Sequence, residues 1–151
     1  MNVNGGSTID TEQCFLTGNY QFNKVIKNTP SFVWYLKSQN YRTVGGHPFY
    51  SYYGREFTNP ALGFEDYRFS GVFGGYPDIE DLKPGRYFSD CFFFNSIYEQ
   101  YKELTEKGNN VFSFDVTMQG HSPYNTEEFL FGDSWFNGNN YSEETNCILN
   151  N

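Results

Sequence analysis

SDCFFFNSIYEQYKELTEKGNNVFSFDVT, residues 89–117, changes from the hydrophobic period of a helix to that of a strand. Apolar side chains first recur at steps of three and four residues, at Phe94, Ile97, Tyr101 and Leu104. This spacing places them on one face and predicts a helix over residues 89–107. From Phe112 onward, apolar and polar residues alternate to residue 117, which predicts a strand with one face more buried than the other.

The ends of the predicted helix carry the signals expected of helix termini. Ser89 can act as the N-cap, and Asp90 suits the positive end of the helix dipole. Glu103 and Lys107 are four residues apart and predict an ion pair, and Gly108 offers a stop. These signals support a helix that is followed at once by a strand.

A second helix and strand precede this unit. Residues 29–31, Thr-Pro-Ser, open a short helix that is marked by Phe32, Leu36 and Gln39. Residues 42–45 then predict a short strand. Helix followed by strand, twice, predicts an α/β fold with a mainly parallel sheet.

The segment between these two units gives weaker signals. Residues 56–62 predict a short helix interrupted by Pro60, and residues 67–69 predict a weak strand. Residues 71–85 are rich in glycine and proline and predict a loop.

Composition limits the classes of function. A chain of 151 residues has the length of one domain, and its aromatic content of 21% exceeds its charged content of 19%, which excludes disorder as the main state. Ten Lys and Arg against 18 Asp and Glu give a net charge of −8, with no basic cluster. We therefore expect no nucleic-acid partner and no binding to anionic membranes. The sequence shows neither an apolar run long enough to span a bilayer nor an export signal.

The cysteines and the chain ends carry little chemistry. The three cysteines have no metal-ligand spacing, and we expect plain thiols at Cys14, Cys91 and Cys147. The first residues are polar and rich in glycine, while residues 141–149 predict a helix that begins and soon stops. We therefore expect residues 1–151 to be the central part of a larger domain, truncated at both ends.

Residues 5–18, GGSTIDTEQCFLTG, predict a short helix directly after a glycine-rich turn. Asp10 and Gln13 have the spacing of a capping box, and Gly18 supplies a stop. The hydroxyl of Thr8 would lie at the positive helix end, where backbone N–H groups can hold a phosphate-like anion. The alternative is that Ser7 or Thr8 only caps the helix.

Two histidine-containing loops each follow a predicted strand. His47 and Arg55 lie in the first loop among several tyrosines, and His121 lies in the second. Ligands of open α/β sheets gather beyond the carboxyl ends of the strands, so these residues are placed to contact a ligand. The alternatives are a tyrosine-rich surface loop with a solvated arginine, and a loop histidine with a structural hydrogen bond.

Taken in order, these segments resemble the catalytic domain of lipoteichoic acid synthases and phosphoglycerol transferases, in the sulfatase and alkaline phosphatase superfamily. The matching features span nearly the whole chain: GSTIDTE at 6–12, LTG at 16–18, YRTV at 41–44 running into His47-Pro48, Arg55 followed by LGF at 62–64, Ser89-Asp90, and VTMQGHSPY at 116–124. The resemblance implies part of an α/β/α sandwich with a mainly parallel sheet.

The resemblance also implies roles for individual residues. Thr8 corresponds to the family's nucleophile, which also ligates a divalent metal, typically Mn²⁺. His121 corresponds to a substrate-contacting histidine and Arg55 to a contact with the head-group phosphate, while His47 and Tyr53 line the pocket. The family's other metal ligands are an upstream acid and a downstream Asp-His pair, and the chain contains no Asp-His dipeptide. The resemblance therefore implies that this segment binds metal weakly and is inactive by itself.

Two departures favour the broader phosphoglycerol-transferase-like group over the polymerising synthases. Phe49 stands where the synthases have an acid, and Tyr53 stands where they have a tryptophan. The Cys/Ser-x-Pro-x-Arg motif of sulfate-ester hydrolases is absent, because Cys14 is followed by FLTG. This absence disfavours sulfate-ester hydrolysis.

The implied activity is transfer of phosphoglycerol, or of a related phospho-alcohol, during synthesis of a cell-envelope glycopolymer. A phosphatidylglycerol-like lipid would be the donor and a glycolipid or glycan the acceptor, with a covalent phospho-threonine intermediate. The parent protein would act at the extracellular face of a bacterial cell membrane. The alternative is a non-catalytic α/β module that binds a glycan or a protein through the tyrosines near His47 and the acidic surface.

Overall fold

The computed structural model describes residues 7–20, 24–71, 75–76, 90–118 and 121. Most of the predicted loop over 71–85, the predicted helix over 141–149 and Cys147 lie outside these residues. The elements along the chain are α1 (Thr8–Thr17), α2 (Phe32–Ser38), β1 (Tyr41–His47), a 3₁₀ turn (Tyr52–Gly54), α3 (Arg55–Leu62), β2 (Asp66–Phe69), α4 (Asp90–Glu106) and β3 (Asn110–Asp115).

The three strands form a parallel sheet in the order β2-β1-β3. Val44 pairs with Asp66 on one side of β1, and Gly45 pairs with Phe114 on the other. Each parallel connection contains a helix, α3 between β1 and β2 and α4 between β2 and β3. The predicted α/β fold with a parallel sheet is confirmed.

Helices cover both faces of the sheet. On one face, Tyr67, Phe112 and Phe114 pack against a core contributed by α1, α2, α3 and the turn after α3: Leu16, Val33, Leu62 and Phe64. On the other face, α4 contacts the sheet through a hydrogen bond of 3.1 Å from Gln100 to Asp66 and packs Phe93 against Tyr76. Neighbouring side chains of a strand point to opposite faces, so these contacts define an α/β/α sandwich, as predicted.

The structure corrects part of the face predicted for α4, in which Ile97 and Leu104 are half-buried but the two aromatic residues are not. Phe94 and Tyr101 are 55% and 49% exposed, whereas Phe93 is fully buried and Gln100 is 5% exposed. One residue along a helix rotates the side chain by about 100°, so a shift of one position changes the face that is buried. Phe93 is the buried residue because its ring meets Tyr76 edge to face, with ring centroids 5.5 Å apart. The signals at the end of the helix are confirmed: Lys107 Nζ lies 2.6 Å from Glu103, and Gly108 has a φ of 82°. The predicted N-cap, Ser89, lies outside the described residues.

The helix predicted to break at Pro60 is continuous. Pro60 offers no N–H to the carbonyl of Glu56, but Glu56 lies in the exposed first turn of α3, where water can serve that carbonyl. The helix ends at Gly63, which has a φ of 111° and donates its N–H to the carbonyls of Asn59 and Pro60.

Strand β1 continues two residues beyond the predicted end, through Gly46 to His47. A Cβ atom at Gly45 would lie 2.2 Å from the carbonyl oxygen of Phe114, and one at Gly46 would lie 2.2 Å from the hydroxyl of Tyr76. The two glycines therefore allow the neighbouring strand and an aromatic ring to approach β1 closely. This close packing brings His47 to the carboxyl edge of the sheet.

Candidate functional site

Three of the predicted site residues, His47, Arg55 and His121, lie at or after the carboxyl edge of the sheet, whereas Thr8 lies at the start of α1. His47 is the last residue of β1, and β3 beside it ends at Asp115, six residues before His121. Arg55 begins α3 after a short loop that follows β1. This edge is where ligands of parallel sheets bind.

His47 is a buried, neutral imidazole. It is 3% exposed, and its Nδ1 lies 3.0 Å from the carbonyl oxygen of Val116. A carbonyl only accepts hydrogen bonds, so Nδ1 carries the hydrogen and Nε2 keeps its lone pair. The pKa of His47 is lowered to about 4, mainly by burial and also by the charges of Arg55 and His121, against the opposing effect of the Val116 hydrogen bond. His47 can therefore accept a hydrogen bond through Nε2 at neutral pH.

Arg55 is buried and held by Glu12. Its Nε and Nη2 donate to the two carboxylate oxygens of Glu12 at 3.0 and 2.6 Å, and its Nη1 lies 3.3 Å from the carbonyl of Tyr52. The side chains of Arg55 and Glu12 are 2% and 9% exposed. The alternative of a solvated arginine is therefore wrong. The phosphate contact implied for Arg55 stays a prediction.

Sequence reasoning missed Glu12 as the partner of Arg55. The available signal was its position four residues before Leu16 and two before Cys14, which are both buried. An acid on the apolar face of a short helix predicts a buried cationic partner, because an unpaired carboxylate is costly to bury. The sequence did not show which cation lies opposite.

Thr8 is the first residue of α1 and is exposed, but it does not cap the helix. Ser7 is the N-cap: its Oγ accepts from the N–H of Asp10 at 3.2 Å and donates to the Asp10 carboxylate at 2.7 Å. The capping box predicted for Asp10 and Gln13 is therefore one turn out of place, because Asp10 is the capped position of the Ser7 box. Gly18, with a φ of 72°, ends the helix as predicted.

Tyr53 lies beside Arg55 at the surface. It is 71% exposed, and the Cζ atom of Arg55 lies 5.5 Å from the centre of its ring. The backbone of Tyr53 has a φ of 62°, which is unusual for a residue other than glycine. Tyr52 next to it is 56% exposed, so two aromatic faces are available at this rim.

Two further buried groups, Tyr67 and Asp115, have shifted pKa values. Burial raises the pKa of Tyr67, and Glu12 and Asp115 raise it further while Arg55 lowers it. Burial also raises the pKa of Asp115, partly offset by hydrogen bonds to Ser113 and to the backbone of Gly46. The structure thus brings His47, Arg55 and His121 within electrostatic range of one another, together with Glu12.

The described residues do not form a metal centre by themselves. Among the ranges that the structure describes, no group of three or more His, Cys, Asp or Glu side chains is arranged to hold an ion. The carboxylates nearest to Thr8 along α1 are engaged, Asp10 with Ser7 and Glu12 with Arg55. Hard divalent ions prefer several oxygen ligands, and this part of the chain offers too few. The cysteines in it are free thiols, Cys14 buried and Cys91 exposed.

A surface groove of about 660 Å³ runs along α4, on the face of the sheet that this helix covers. Arg68, Tyr76 and Gln100 line it, and it contains none of the predicted site residues. Within the described residues, no helix is both long and apolar enough to cross a membrane.

Comparison with known proteins gives a family and a fold. The sulfatase family matches residues 2–150. A crystal structure of the lipoteichoic acid synthase LtaP from Listeria monocytogenes is similar, with a TM-score of 0.63 and 18% sequence identity over 97% of this chain. This chain spans 37% of the length of that one. A comparison with curated proteins found no match.

Proposed function

This chain belongs to the sulfatase family, and from that premise we propose that it is the part of a phosphoglycerol transferase catalytic domain that carries the nucleophile, Thr8. The single observation that supports this role is that the N-cap of α1 and the exposed threonine hydroxyl beside it belong to different residues. Ser7 takes the capping role, and the hydroxyl of Thr8 stays exposed at the positive end of the helix. A hydroxyl in this position suits attack on an anionic phosphodiester, because the helix end stabilises the negative charge.

The proposed reaction has two steps. In the first, Thr8 Oγ loses its proton to solvent and attacks the phosphorus of a phosphatidylglycerol-like donor. The phosphorus–oxygen bond to diacylglycerol breaks, and diacylglycerol takes a proton from solvent. In the second, an acceptor hydroxyl attacks the same phosphorus, its proton goes to solvent, and Thr8 regains its own as the bond to Oγ breaks. A glycolipid or glycan supplies this hydroxyl.

The other site residues bind and orient the substrate in this proposal. A guanidinium has five N–H donors, and Glu12 and Tyr52 take three of those on Arg55, which leaves donors for a phosphate oxygen. His47 lines the pocket and offers Nε2 as an acceptor, His121 contacts the substrate, and Tyr53 forms the outer rim.

The proposed cofactor is Mn²⁺ or another divalent ion. The residues described here supply only Thr8 as a ligand, so we propose that the carboxylate and imidazole ligands come from beyond them. When bound, such an ion lowers the pKa of the hydroxyl that it ligates. This segment alone is then inactive, and the parent protein acts at the extracellular face of a bacterial membrane, where its lipid donor is found.

The test uses the protein encoded by the complete reading frame, loaded with Mn²⁺ and given a phosphatidylglycerol donor. We expect Thr8→Ala to lower turnover by at least about 10³-fold, because no neighbouring group forms the covalent bond. Mass spectrometry should find a phosphoglyceryl adduct of the wild-type protein on the peptide that contains Thr8, and none in the variant.

The matched control is Thr11→Ala, which removes a hydroxyl from the same helix. Thr11 Oγ1 donates to the carbonyl of Ser7 at 2.9 Å and has no role in the proposed step. Its variant should keep turnover within about threefold of wild type. Normal turnover in Thr8→Ala would contradict the proposal, and binding of a glycan without any adduct would favour the non-catalytic module.

A further inference from the structure

Glu12 is a buried carboxylate on the face of α1 that packs into the core. The other buried residues of this helix are Cys14 and Leu16. Its two oxygens meet two nitrogens of Arg55 at 2.6 and 3.0 Å, and its side chain is 9% exposed. Stability alone does not require this pair, because apolar side chains of similar volume often stabilise a core at least as well as a buried ion pair does.

What this pair adds is orientation. Two parallel hydrogen bonds between planar groups fix their relative direction as well as their distance, and burial removes competing water. Arg55 is the first residue of α3, which follows the loop after β1. The pair therefore fixes the rotation of α1 relative to the segment that follows His47.

The face that is fixed is the one that carries Thr8. Thr8 and Glu12 are four residues apart, so they lie on the same side of α1, separated by about 6 Å along its axis. Arg55 in turn lies close enough to His47 for its charge to act on the imidazole. Thr8 and Glu12 thus share one side of α1, Glu12 bonds to Arg55, and the charge of Arg55 reaches His47 at the carboxyl edge of the sheet.

We propose that Glu12 is a positioning residue that, through its bidentate bond to Arg55, holds the Thr8 hydroxyl in a fixed orientation toward the carboxyl edge of β1. This inference rests on the proposed role of Thr8. In this inference, Glu12 affects the rate of the chemical step through the orientation of Thr8 and contacts neither donor nor acceptor.

The first test is the turnover of Glu12→Gln, in the protein encoded by the complete reading frame. Glutamine keeps the shape and one acceptor oxygen but cannot form the bidentate pair, because its NH₂ group would face a second N–H donor of the guanidinium. We expect kcat to fall about 10- to 100-fold with KM within about threefold of wild type, because a small misplacement of a nucleophile slows reaction more than binding. The matched control is Glu56→Gln, which removes an exposed carboxylate next to Arg55 and should leave both constants unchanged.

The second test does not depend on activity. In ¹H–¹⁵N spectra of the 151-residue chain, Glu12→Gln should shift the amide resonances of Thr8 and Ser7 and the imidazole resonances of His47, and Glu56→Gln should not. If Glu12→Gln does not fold, the double variant Glu12→Leu with Arg55→Met replaces the ion pair by apolar side chains, and the same resonances should move in it.

These two tests separate the inference from the proposed function. A wild-type protein without turnover, on the correct donor and metal, contradicts the role of Thr8 and leaves the spectra to decide on Glu12. Unmoved Thr8 and His47 resonances in a folded Glu12→Gln chain overturn the positioning role. Unchanged kcat in that variant overturns it as well.

Discussion

At the scale of single residues, the burial of His47 makes stability depend on pH. Its pKa is about 4 in the folded chain against the ordinary value of 6.5, so the unfolded chain binds more protons between these values. Stability therefore decreases as pH falls from about 6.5 to about 4, and this group causes no further loss below that range. The full difference corresponds to about 3 kcal/mol.

Asp115 acts in the opposite direction over part of the same range, because its pKa is raised by burial. The comparison with His47→Asn separates the two effects. Asparagine can place an N–H near the carbonyl of Val116 but does not titrate. Urea unfolding at several pH values should show that wild type loses about 3 kcal/mol more than the variant between pH 7 and pH 4. Equal losses would show that His47 is not protonated on unfolding.

The sequence offers candidate site residues, but it does not reveal the partners that the structure gives them. His47 and His121 were predicted because each follows a strand, and Thr8 because it opens a helix after a glycine-rich turn. The pairing of Arg55 with Glu12 joins residues 43 positions apart, and no local spacing reports such a contact. The sequence offered Ser7 and Thr8 as alternative caps, and the structure shows that Ser7 is the N-cap.

At the scale of elements, α4 shows what a hydrophobic period can predict. Its aromatic run, Phe92 to Phe94, offers a ring at three successive positions, so the period alone fits more than one buried face. Contact with Tyr76 selects Phe93, and the hydrogen bond to Asp66 selects Gln100. Existence and length of the helix follow from local signals, whereas its rotation follows from tertiary contacts.

This assignment of the buried face can be measured. Phe93→Ala should lower the free energy of unfolding by about 3–5 kcal/mol, because a fully buried ring leaves a cavity. Phe94→Ala, the matched control one residue along, should cost less than about 1 kcal/mol because its ring is 55% exposed. Denaturation in urea at pH 7 gives both values. A larger cost at Phe94 than at Phe93 would restore the face predicted from the period.

Two glycines explain why β1 was predicted too short. Gly45 and Gly46 are poor strand formers by propensity, and they end a strand in most sequence patterns. Here the carbonyl of Phe114 and the ring of Tyr76 occupy the space of the missing side chains. The close approach is a property of the assembled sheet, so the sequence of β1 alone could not predict it.

At the scale of the whole molecule, several polar groups at the carboxyl edge of the sheet and at the start of α1 are engaged within the chain or uncharged. Arg55 is neutralised by Glu12, Asp10 is engaged by Ser7, and His47 is uncharged at neutral pH. What remains exposed at the start of α1 is the neutral hydroxyl of Thr8. Among the described residues, few oxygen ligands are therefore left for a divalent cation near Thr8.

We therefore expect the 151-residue chain to bind Mn²⁺ only weakly, with a dissociation constant no tighter than about 1 mM, because one hydroxyl cannot replace the carboxylates that hard ions prefer. Titration calorimetry at pH 7 measures this directly. The matched control is Thr8→Ala, which should give the same small heats, since a single hydroxyl adds little affinity by itself. The protein encoded by the complete reading frame should bind far more tightly and lose affinity in Thr8→Ala, if it supplies the remaining ligands. A stoichiometric micromolar site in the 151-residue chain, removed by Thr8→Ala, would show that this segment holds a metal centre of its own and would contradict the division of ligands proposed here.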